Sequence, residues 1–535
     1  MRQAHEVAKV RAAEGALMAT LGEGALMQRA AFGLAAVCAR LLGQPYGARV
    51  VVLTGSGDNG GDALYAGALL ARRGVTVRAI AAGSRTHQGG AGALRDAGGR
   101  LLSPADQAVP GLIQRADLIV DGMLGIGGKG GLREPYASLA EQAAGSQAVV
   151  VAVDLPSGIN ADTGVLDGPS VRADVTVTFG TWKPGLLVDP GAGRAGMTEL
   201  IDIGLAPHLD AADLVALQSA DVAALLPRPS AESDKYRRGV LGVVAGSDRF
   251  TGAAWLAVGA ALRGGAGMIR LLSAPPAAAV VRQHWPEAVI TEIPDKDPDA
   301  VELLRTAGRV QAWTAGPGMG TGQDAARLLA EVLATDVPVL VDADGLTLLA
   351  ADRGLLPRSA PTLLTPHAGE LARLLGADRA DVEARRLEHV RRAAAELGVT
   401  VLLKGSTTVI SSPEPGTPVL VNPTGTPWLA TAGTGDVLSG LAGSLLAQGL
   451  AAADAAAAAA YLHGLAARLA ADGQDGQGGQ GGCDAGDGHP ESLESVHSGS
   501  VAAPIDASDV LRALPAAIRA VRAAARHVGD GDVAP

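Results

Sequence analysis

The chain has 535 residues, a formal net charge of −11, and 48% hydrophobic but only 2% aromatic residues. This length predicts two to four domains, and the hydrophobic content excludes a chain that remains unfolded. The acidic charge argues against nucleic-acid binding, because no basic excess is available to neutralise phosphates.

The N-terminal part of the chain alternates strand-like runs with alanine-rich helical stretches. The strand-like runs are apolar, β-branched and nearly continuous, and they cover residues 49–54, 75–80, 117–123, 148–155 and 174–180. Such runs are typical of parallel strands that are buried on both faces of a sheet. We predict a three-layer α/β domain over residues 1–213, followed by a proline-containing linker over residues 214–235.

The C-terminal part repeats this alternation with a second series of strand-like runs. They cover residues 239–246, 310–316, 338–345 and 400–405, together with the shorter runs MIRLL, TLLTP and PVLVN. We predict a second three-layer α/β domain with a mostly parallel sheet over residues 236–527. Residues 472–500 are nearly free of large apolar side chains, so we predict a disordered insertion there.

Residues 451–471 form the longest apolar stretch, but they are mostly alanine and include an Asp, a His and an Arg. We expect a helix that does not span a membrane. The N-terminus lacks the features of a signal peptide, and the two cysteines, Cys38 and Cys483, form neither a metal-binding spacing nor a disulfide framework. We therefore predict a cytoplasmic protein without membrane or nucleic-acid partners, and we expect a homo-oligomer.

Three polar clusters follow three of the N-terminal strands: GSGDNGGD from Gly55, DGMLGIGGKGG from Asp121 and DLPSG from Asp154. Glycine-rich turns before a helix expose backbone N–H groups that bind anions, and side-chain oxygens within them suit a cation or a sugar. Because parallel sheets bind ligands at the carboxyl ends of their strands, we expect the three clusters to converge. The alternative is that each Asp only caps a helix.

These motifs, with the preceding EGALMQRAAFG, resemble the NAD(P)H-hydrate epimerase family over residues 1–213. The resemblance implies a Rossmann-like domain that interconverts the R and S forms of hydrated NADH and NADPH. It also implies a potassium ion bound by Asn59, Asp121 and Ser157, and a catalytic Asp154 in contact with the reacting ring. The substrate phosphates would be bound by residues of two loops: Asp58, Asn59, Gly60, Gly61 and Asp62 in the first, and Gly125, Ile126, Gly127, Gly128, Lys129, Gly130 and Gly131 in the second.

The chain departs from this family at Asp58, where an Asn is usual. An added carboxylate beside a polyanionic substrate is unfavourable unless a cation compensates it. Asp58 therefore either strengthens the cation site or weakens substrate binding. Lys183 matches a lysine of the family, and we expect it to balance the charge of Asp154.

The second domain contains the run TAGTGDVLSG from Thr431 to Gly440. Gly433 and Gly435 would expose backbone N–H groups at a helix start, where the helix dipole favours an anion. Asp436 would lie in the first turn, placed to take a proton from a hydroxyl that attacks a phosphate. An Asp at that place can also be only a favourable partner of the dipole. The run resembles the ribokinase superfamily, in which such a motif supplies the anion hole and the catalytic base.

Further motifs, SDKYRRG with the following segment, TAGPGMG, VDADGL, TPHAGE and LLKGSTTVI, resemble the ADP- or ATP-dependent NAD(P)H-hydrate dehydratases over residues 222–527. The resemblance implies a ribokinase-like fold and a nucleotide-driven dehydration of the S hydrate, with magnesium and with ADP (or ATP) as co-substrate. It implies that Asp436 is catalytic and that the hydrate is bound by Ala253, Gly318, His367 and Asp436. The nucleotide would be bound by Lys404, Gly405, Ser406, Thr407, Thr408 and Gly435.

The two resemblances together predict a bifunctional repair enzyme whose substrates are the hydrates NADHX and NADPHX and whose co-substrate is ADP, which would yield AMP and phosphate. In such a fusion the epimerase converts the R hydrate into the S form that the dehydratase consumes. The alternative is a small-molecule kinase of the ribokinase superfamily that is fused to a nucleotide-binding or sensor domain. Such a kinase would release a stable phosphorylated product.

Overall fold

The computed structural model describes residues 1–294, 299–356, 358–473 and 502–530. The chain divides into two compact units, Arg2–Leu214 and Val215–Pro535. The insertion predicted at 472–500 lies outside the described residues, apart from its first two positions.

The N-terminal unit contains short 3-10 helices at Pro184–Leu186 and Ala206–His208, besides its strands and α-helices. In chain order the strands and α-helices are β1 (Arg2–Ala4), α1 (Val7–Met18), α2 (Ala25–Leu42), β2 (Arg49–Thr54), α3 (Asp58–Ala71), β3 (Thr76–Ala81), α4 (Gln88–Asp96), β4 (Arg100–Leu102), α5 (Val109–Gln114), β5 (Leu118–Gly122), α6 (Tyr136–Ala144), β6 (Val149–Val153), β7 (Val175–Phe179), α7 (Ala192–Ala195) and β8 (Met197–Ile201).

A 7-stranded sheet with the order β4-β3-β2-β5-β6-β7-β8 forms the centre of this unit, and all its strand pairs are parallel. Alternate residues of β2 point to opposite faces: Val50 and Val52 pack with helices α1 to α4, whereas Val51 and Leu53 pack with α5 and α6. This arrangement confirms the predicted three-layer α/β domain with strands buried on both faces.

The C-terminal unit contains 3-10 helices at Arg353–Leu355 and Pro427–Leu429. Its strands and α-helices are β9 (Leu214–Ala216), α8 (Ser219–Leu225), β10 (Val240–Val244), α9 (Thr251–Arg263), β11 (Met268–Ser273), α10 (Pro275–His284), β12 (Val289–Glu292), α11 (Ala300–Thr306), β13 (Ala312–Ala315), α12 (Gln323–Leu333), β14 (Val339–Val341), α13 (Asp344–Ala351), β15 (Thr362–Leu364), α14 (Ala368–Leu375), α15 (Arg379–Ala384), α16 (Arg386–Leu397), β16 (Thr400–Leu403), β17 (Thr408–Ser411), β18 (Val419–Asn422), α17 (Thr434–Ala447), α18 (Ala452–Ala471) and α19 (Ala507–Asp530).

The sheet of this unit has the order β9-β18-β17-β16-β15-β14-β13-β10-β11-β12. Strands β10 to β16 pair in parallel, whereas β16, β17 and β18 form an antiparallel meander. The prediction of a mostly parallel sheet is therefore confirmed. Strands β9, β12 and β17 were not predicted as separate strands.

Small residues allow two helices of the C-terminal unit to pack with their backbones in contact. A Cβ on Gly440 of α17 would clash with the carbonyl oxygen of Ala257 on α9, so no larger residue fits there. This close approach is consistent with a core that contains few aromatic side chains.

Among the described residues, one helix, α2, is long and apolar enough by length and composition to cross a membrane. Its side chains Leu34, Val37 and Cys38 are buried in the core of the N-terminal unit. The alanine-rich stretch at 451–471 forms the predicted helix, α18, which is also largely buried.

Candidate active sites

The N-terminal site lies where the strand order of the sheet reverses, between β2 and β5. Connections that leave two neighbouring parallel strands in opposite directions open a crevice at their carboxyl ends, where such sheets bind ligands. The backbone N–H of Gly55 donates to the carbonyl oxygen of Gly122 at 3.1 Å. A Cβ on Gly55 would clash with the Met123 carbonyl, so the two loops meet backbone to backbone.

Asp121 and Ser157 join the ends of β5 and β6. The fully buried Asp121 carboxylate accepts hydrogen bonds from the Ser157 backbone N–H at 2.8 Å and from the Ser157 hydroxyl at 2.7 Å. Burial raises the pKa of Asp121 to about 6, although these hydrogen bonds oppose the shift. The predicted convergence of the strand ends is therefore confirmed for these two clusters.

Asn59 lies in the first turn of α3, and its amide nitrogen is buried without an acceptor among the described residues. A Cβ on Gly125 would lie 3.0 Å from Asn59 Oδ1, so this side chain faces the loop that follows β5. Asn59, Asp121 and Ser157 offer only oxygen ligands, which suit a hard cation such as potassium. Asp121 accepts hydrogen bonds from neutral backbone and hydroxyl groups, and a buried carboxylate favours a positive partner. These residues therefore fit a potassium ion.

Asp154 follows β6 in the left-handed backbone region, with a φ of 67°. Such a conformation is rare outside glycine and is often retained at functional sites. The ammonium of Lys183, which is 1% exposed, forms an ion pair with Asp154. It also donates to Thr178 Oγ1 at 3.1 Å and to the Phe179 carbonyl oxygen at 3.0 Å. The expectation that Lys183 balances the charge of Asp154 is confirmed.

Further carboxyl groups interact electrostatically with Asp154. Burial, followed by the charge of Asp154, raises the pKa of Asp62 well above its usual value. Burial also raises the pKa of Glu14 on α1, against the opposing charge of Lys183. Sequence analysis gave Glu14 no role, because only the tertiary fold brings α1 near these groups. Asp58, the departure from the family pattern, is exposed.

The second predicted phosphate loop, Gly125–Gly131, is partly exposed at this edge of the sheet. In the first loop, α3 already begins at Asp58, so Gly60 and Gly61 are buried helical residues. Backbone N–H groups at a helix start lack intrahelical partners and suit an anion. Contact of both segments with substrate phosphates stays a prediction.

The C-terminal site lies at the carboxyl ends of the neighbouring parallel strands β13 to β16, beside the start of α17. Asp342, which follows β14, is 1% exposed and accepts a hydrogen bond from Lys404 Nζ at 2.7 Å. The hydroxyl of Ser439 on α17 donates to the other carboxylate oxygen of Asp342. A Cβ on Gly435 would lie 3.5 Å from Lys404 Nζ, so this ion pair adjoins the first turn of α17.

Asp436 lies in the first turn of α17, as predicted. Burial, followed by the charge of Asp342, raises the pKa of Asp436 to about 7, whereas the charge of Lys404 lowers it. Gly433 precedes the helix with a φ of 90°, which favours glycine. A carboxyl group with a pKa near neutrality is well matched to general-base catalysis.

Two of the predicted hydrate contacts lie side by side in the structure. A Cβ on Gly318 would lie 2.8 Å from the Cβ of Ala253, and Gly318 has a φ of 59°. Nearby, Asp344 accepts a hydrogen bond from the Gly320 backbone N–H at 2.9 Å, and its charge contributes to the raised pKa of Asp436. Asp344 therefore interacts both with the segment after β13 and with the first turn of α17.

His367 caps α14, and its Nδ1 accepts hydrogen bonds from the backbone N–H groups of Gly369 at 3.0 Å and Glu370 at 3.2 Å. The neutral ring therefore carries its proton on Nε2. Burial, followed by the charge of Lys404, lowers the pKa of His367, which favours that neutral form. The side chain is 57% exposed, so Nε2–H can donate to a ligand. A hydrate contact at His367 stays a prediction.

In the predicted nucleotide segment, Gly405 and Ser406 are exposed, Thr407 is buried and Thr408 begins β17. Sequence analysis missed Arg386, whose guanidinium holds the backbone of this segment and which no motif marks. It also assigned no role to Asp342 or Glu370. Both lie in motifs that were recognised, VDADGL and TPHAGE, and an Asp directly after a buried strand is a signal that could have identified Asp342.

Family comparisons match both halves of the chain. Residues 23–185 match the family described as YjeF-related protein N-terminus, and residues 241–478 match the family described as NAD(P)H-hydrate dehydratase. The chain is 48% identical over 478 residues to the bifunctional NAD(P)H-hydrate repair enzyme Nnr of Mycobacterium leprae, with 88% of this chain and 94% of that protein covered.

A more distant relative has the same name. Identity is 38% over 445 residues with the bifunctional NAD(P)H-hydrate repair enzyme Nnr of Moorella thermoacetica, with 79% of this chain and 83% of that protein covered. Among solved structures, the chain is similar to an ADP/ATP-dependent NAD(P)H-hydrate dehydratase from Bacillus subtilis, co-crystallized with ATP/Mg2+. That match has 28% identity and a TM-score of 0.48, and it covers 58% of this chain and 99% of the other.

Proposed function

The chain belongs to the family of bifunctional NAD(P)H-hydrate repair enzymes, and from this premise we propose which residues perform its two reactions. The N-terminal unit epimerises hydrated NADH and NADPH, and the C-terminal unit dehydrates the hydrate with consumption of a nucleotide. The residue roles below, the use of ADP and the cations are our proposals.

In the epimerase, Asp154 is the residue that exchanges a proton with the hydrated nicotinamide ring. Its ion pair with the buried Lys183 orients its carboxylate. The nearby helix start at Asp58–Asp62 and the loop Gly125–Gly131 bind the substrate phosphates through backbone N–H groups. Asp154 therefore acts at the end of β6, beside phosphate-binding segments that follow β2 and β5.

Asn59, Asp121 and Ser157 hold a potassium ion at this edge. The supporting observations are their oxygen-only donor set, the hydrogen bonds that join Asp121 to Ser157, and the buried carboxylate of Asp121. When bound, the cation supplies positive charge next to a polyanionic substrate. Asp58 adds negative charge at the surface of the same region, where the cation compensates it.

In the dehydratase, Asp436 removes the proton of the C6 hydroxyl of the S hydrate as that oxygen attacks the terminal phosphoryl group of the nucleotide. The first-turn N–H groups from Gly433 to Gly435 stabilise the transferred phosphoryl group. Loss of phosphate from C6 and of a proton from C5 then restores the dihydronicotinamide ring. Ala253, Gly318 and His367 hold the hydrate, and the loop from Lys404 to Thr408 holds the nucleotide.

The nucleotide is ADP, which yields AMP and phosphate, and it binds with magnesium. The Bacillus subtilis dehydratase named above was crystallized with ATP/Mg2+, so both nucleotides need to be tested. For the whole protein we expect a cytoplasmic location and a homo-oligomer.

The observation that carries the dehydratase proposal is the position of Asp436 in the first turn of α17, beside the ion pair of Lys404 and Asp342. The test is to incubate the protein with S-NADHX and either ADP or ATP while following the return of NADH absorbance. A kinase that stops at a phosphorylated product would consume nucleotide without restoring NADH, and that outcome would refute the proposal.

A further inference from the structure

Arg386, the first residue of α16, lies beneath the segment that we assign to nucleotide binding. Arg386 is only 4% exposed. Its Nη2 donates to the carbonyl oxygen of Lys404 at 2.8 Å and to that of Thr407 at 2.9 Å, with a longer contact of 3.4 Å to that of Leu403. One buried guanidinium thus contacts the backbone on both sides of the turn between β16 and β17.

These contacts determine where the amides of the turn point. In a trans peptide the N–H points away from the carbonyl oxygen of the same unit. Because the Lys404 carbonyl is turned inward to Arg386, the N–H of Gly405 is turned outward, away from the guanidinium. An outward N–H is the group that binds a nucleotide phosphate or hydroxyl in such a turn.

Gly405 shows how closely the guanidinium approaches the turn. A Cβ at this position would clash with Nη2 of Arg386, so only glycine leaves the contact undisturbed. The turn is fixed on its other side as well, because the backbone N–H of Lys404 donates to the Pro366 carbonyl oxygen at 2.8 Å. Lys404 therefore has its backbone held by Arg386 and Pro366 while its ammonium is paired with Asp342.

We propose that Arg386 is a positioning residue for the nucleotide: its buried guanidinium orients the Lys404–Thr408 turn so that the amides of the turn and the Lys404 ammonium meet the co-substrate. Arg386 touches neither substrate nor nucleotide. The inference rests on the proposed nucleotide site, and it adds to that site a residue for which the sequence motifs provide no signal.

The test uses the full-length protein with Arg386→Met, which removes the hydrogen bonds, and Arg386→Lys, which keeps the charge but loses the planar fork of donors. Arg392→Met on the same helix is the control, because Arg392 is 42% exposed and pairs with Glu396. KM for ADP, KM for S-NADHX and kcat are measured, together with the thermal shift that ADP induces. Epimerase activity reports whether the other unit is intact.

We expect Arg386→Met to raise the KM for ADP by about tenfold or more, since hydrogen bonds from a charged donor are among the stronger ones. Arg386→Lys should lie between this variant and the parent. The KM for S-NADHX should change less than about twofold, and Arg392→Met should match the parent. Gly405→Ala disrupts the same contact from the opposite side, so its effect and that of Arg386→Lys should not add in the double variant.

Parent-like KM and thermal shift with ADP in a folded Arg386→Met protein would overturn the inference. Equal increases in both KM values would also overturn it, because they would indicate general loosening of the unit. If Arg386→Met does not fold, Arg386→Lys and Gly405→Ala decide the question by the same two criteria. Failure of the proposed function itself is distinguishable, because the parent protein would then show no nucleotide-dependent return of NADH.

Discussion

Replacing Asp436 with Asn should abolish most of the dehydration while leaving epimerisation at the parent rate. The substitution keeps the size of the side chain in the first turn of α17 but removes its ability to accept a proton. Loss of a general base typically lowers a rate by about 10² to 10⁴. The epimerase rate provides the internal control, because Asp154 belongs to the other compact unit.

The pH dependence of the parent enzyme follows from the pKa of Asp436. Burial and the charge of Asp342 raise that pKa to about 7, so the proton-accepting carboxylate is the minor form at pH 6 and the major form at pH 8. The rate of dehydration should therefore rise about tenfold between these pH values. The charge of Asp344 also raises the pKa of Asp436, whereas the charge of Lys404 lowers it.

The same shift has a consequence for stability. A carboxyl group whose pKa is raised by folding destabilises the folded state increasingly as the pH rises from its unfolded pKa to its folded pKa. Asp436→Asn removes this penalty, so the variant should be more stable than the parent at pH 8 and gain less at pH 5. The shift from 3.8 to about 7 sets an upper limit of about 4 kcal/mol on the gain.

The assays are the return of NADH absorbance from S-NADHX and ADP between pH 6 and 8, and denaturant unfolding of parent and variant at pH 5 and pH 8. A variant that is inactive yet more stable excludes misfolding as the cause of lost activity. A pH-independent parent rate, or an equal stability change at both pH values, would refute the raised pKa. Loss of epimerisation in a folded Asp436→Asn protein would refute the two-site assignment.

Three further outcomes are expected. Asp154→Asn should leave consumption of S-NADHX unchanged but make the return of NADH from an R/S mixture biphasic, because the R form then drains only by spontaneous epimerisation; a single fast phase would exclude Asp154 as the key residue. Asn59→Ala should raise the potassium concentration needed for epimerisation, and unchanged activity of parent and variant in potassium-free buffer would contradict the cation site. Gly316→Ala should lower stability and dehydration together, since Gly316 has a φ of 130° and a Cβ would clash with the Asp342 carbonyl; parent-like thermal unfolding would contradict this reasoning.

The sequence predicted the central strands better than the edge strands. The run 49–54 is apolar from Val50 to Leu53 and coincides with β2, which has neighbouring strands on both sides. Edge strand β8 was missed, because Met197 is 65% exposed and Leu200 is 39% exposed. Edge strand β12 was missed for a similar reason, since Val289 is 47% exposed. A strand that is covered on one side only lacks the continuous apolar run that identifies a buried strand.

The same distinction applies to the sites. The position of Asp436 could be predicted because the glycines that expose backbone N–H groups at the start of its helix are its neighbours in sequence. Arg386 and Glu14 could not, because each reaches its site through tertiary packing from a helix outside the recognised motifs. A local motif identifies the groups that meet a ligand, whereas the groups that hold those motifs in place appear only in three dimensions.

The contact between α17 and α9 at Gly440 also limits how this enzyme can be engineered. Asp436 lies on the same helix, one turn away, so any side chain that forces the two helices apart also moves the carboxylate that we propose to be catalytic. Mutant libraries for a faster or more robust dehydratase should therefore leave this helix pair unchanged and vary positions elsewhere. For the same reason, loss of activity on substitution of Gly440 would not show that Gly440 takes part in the reaction. The loss would result from displacement of the two helices.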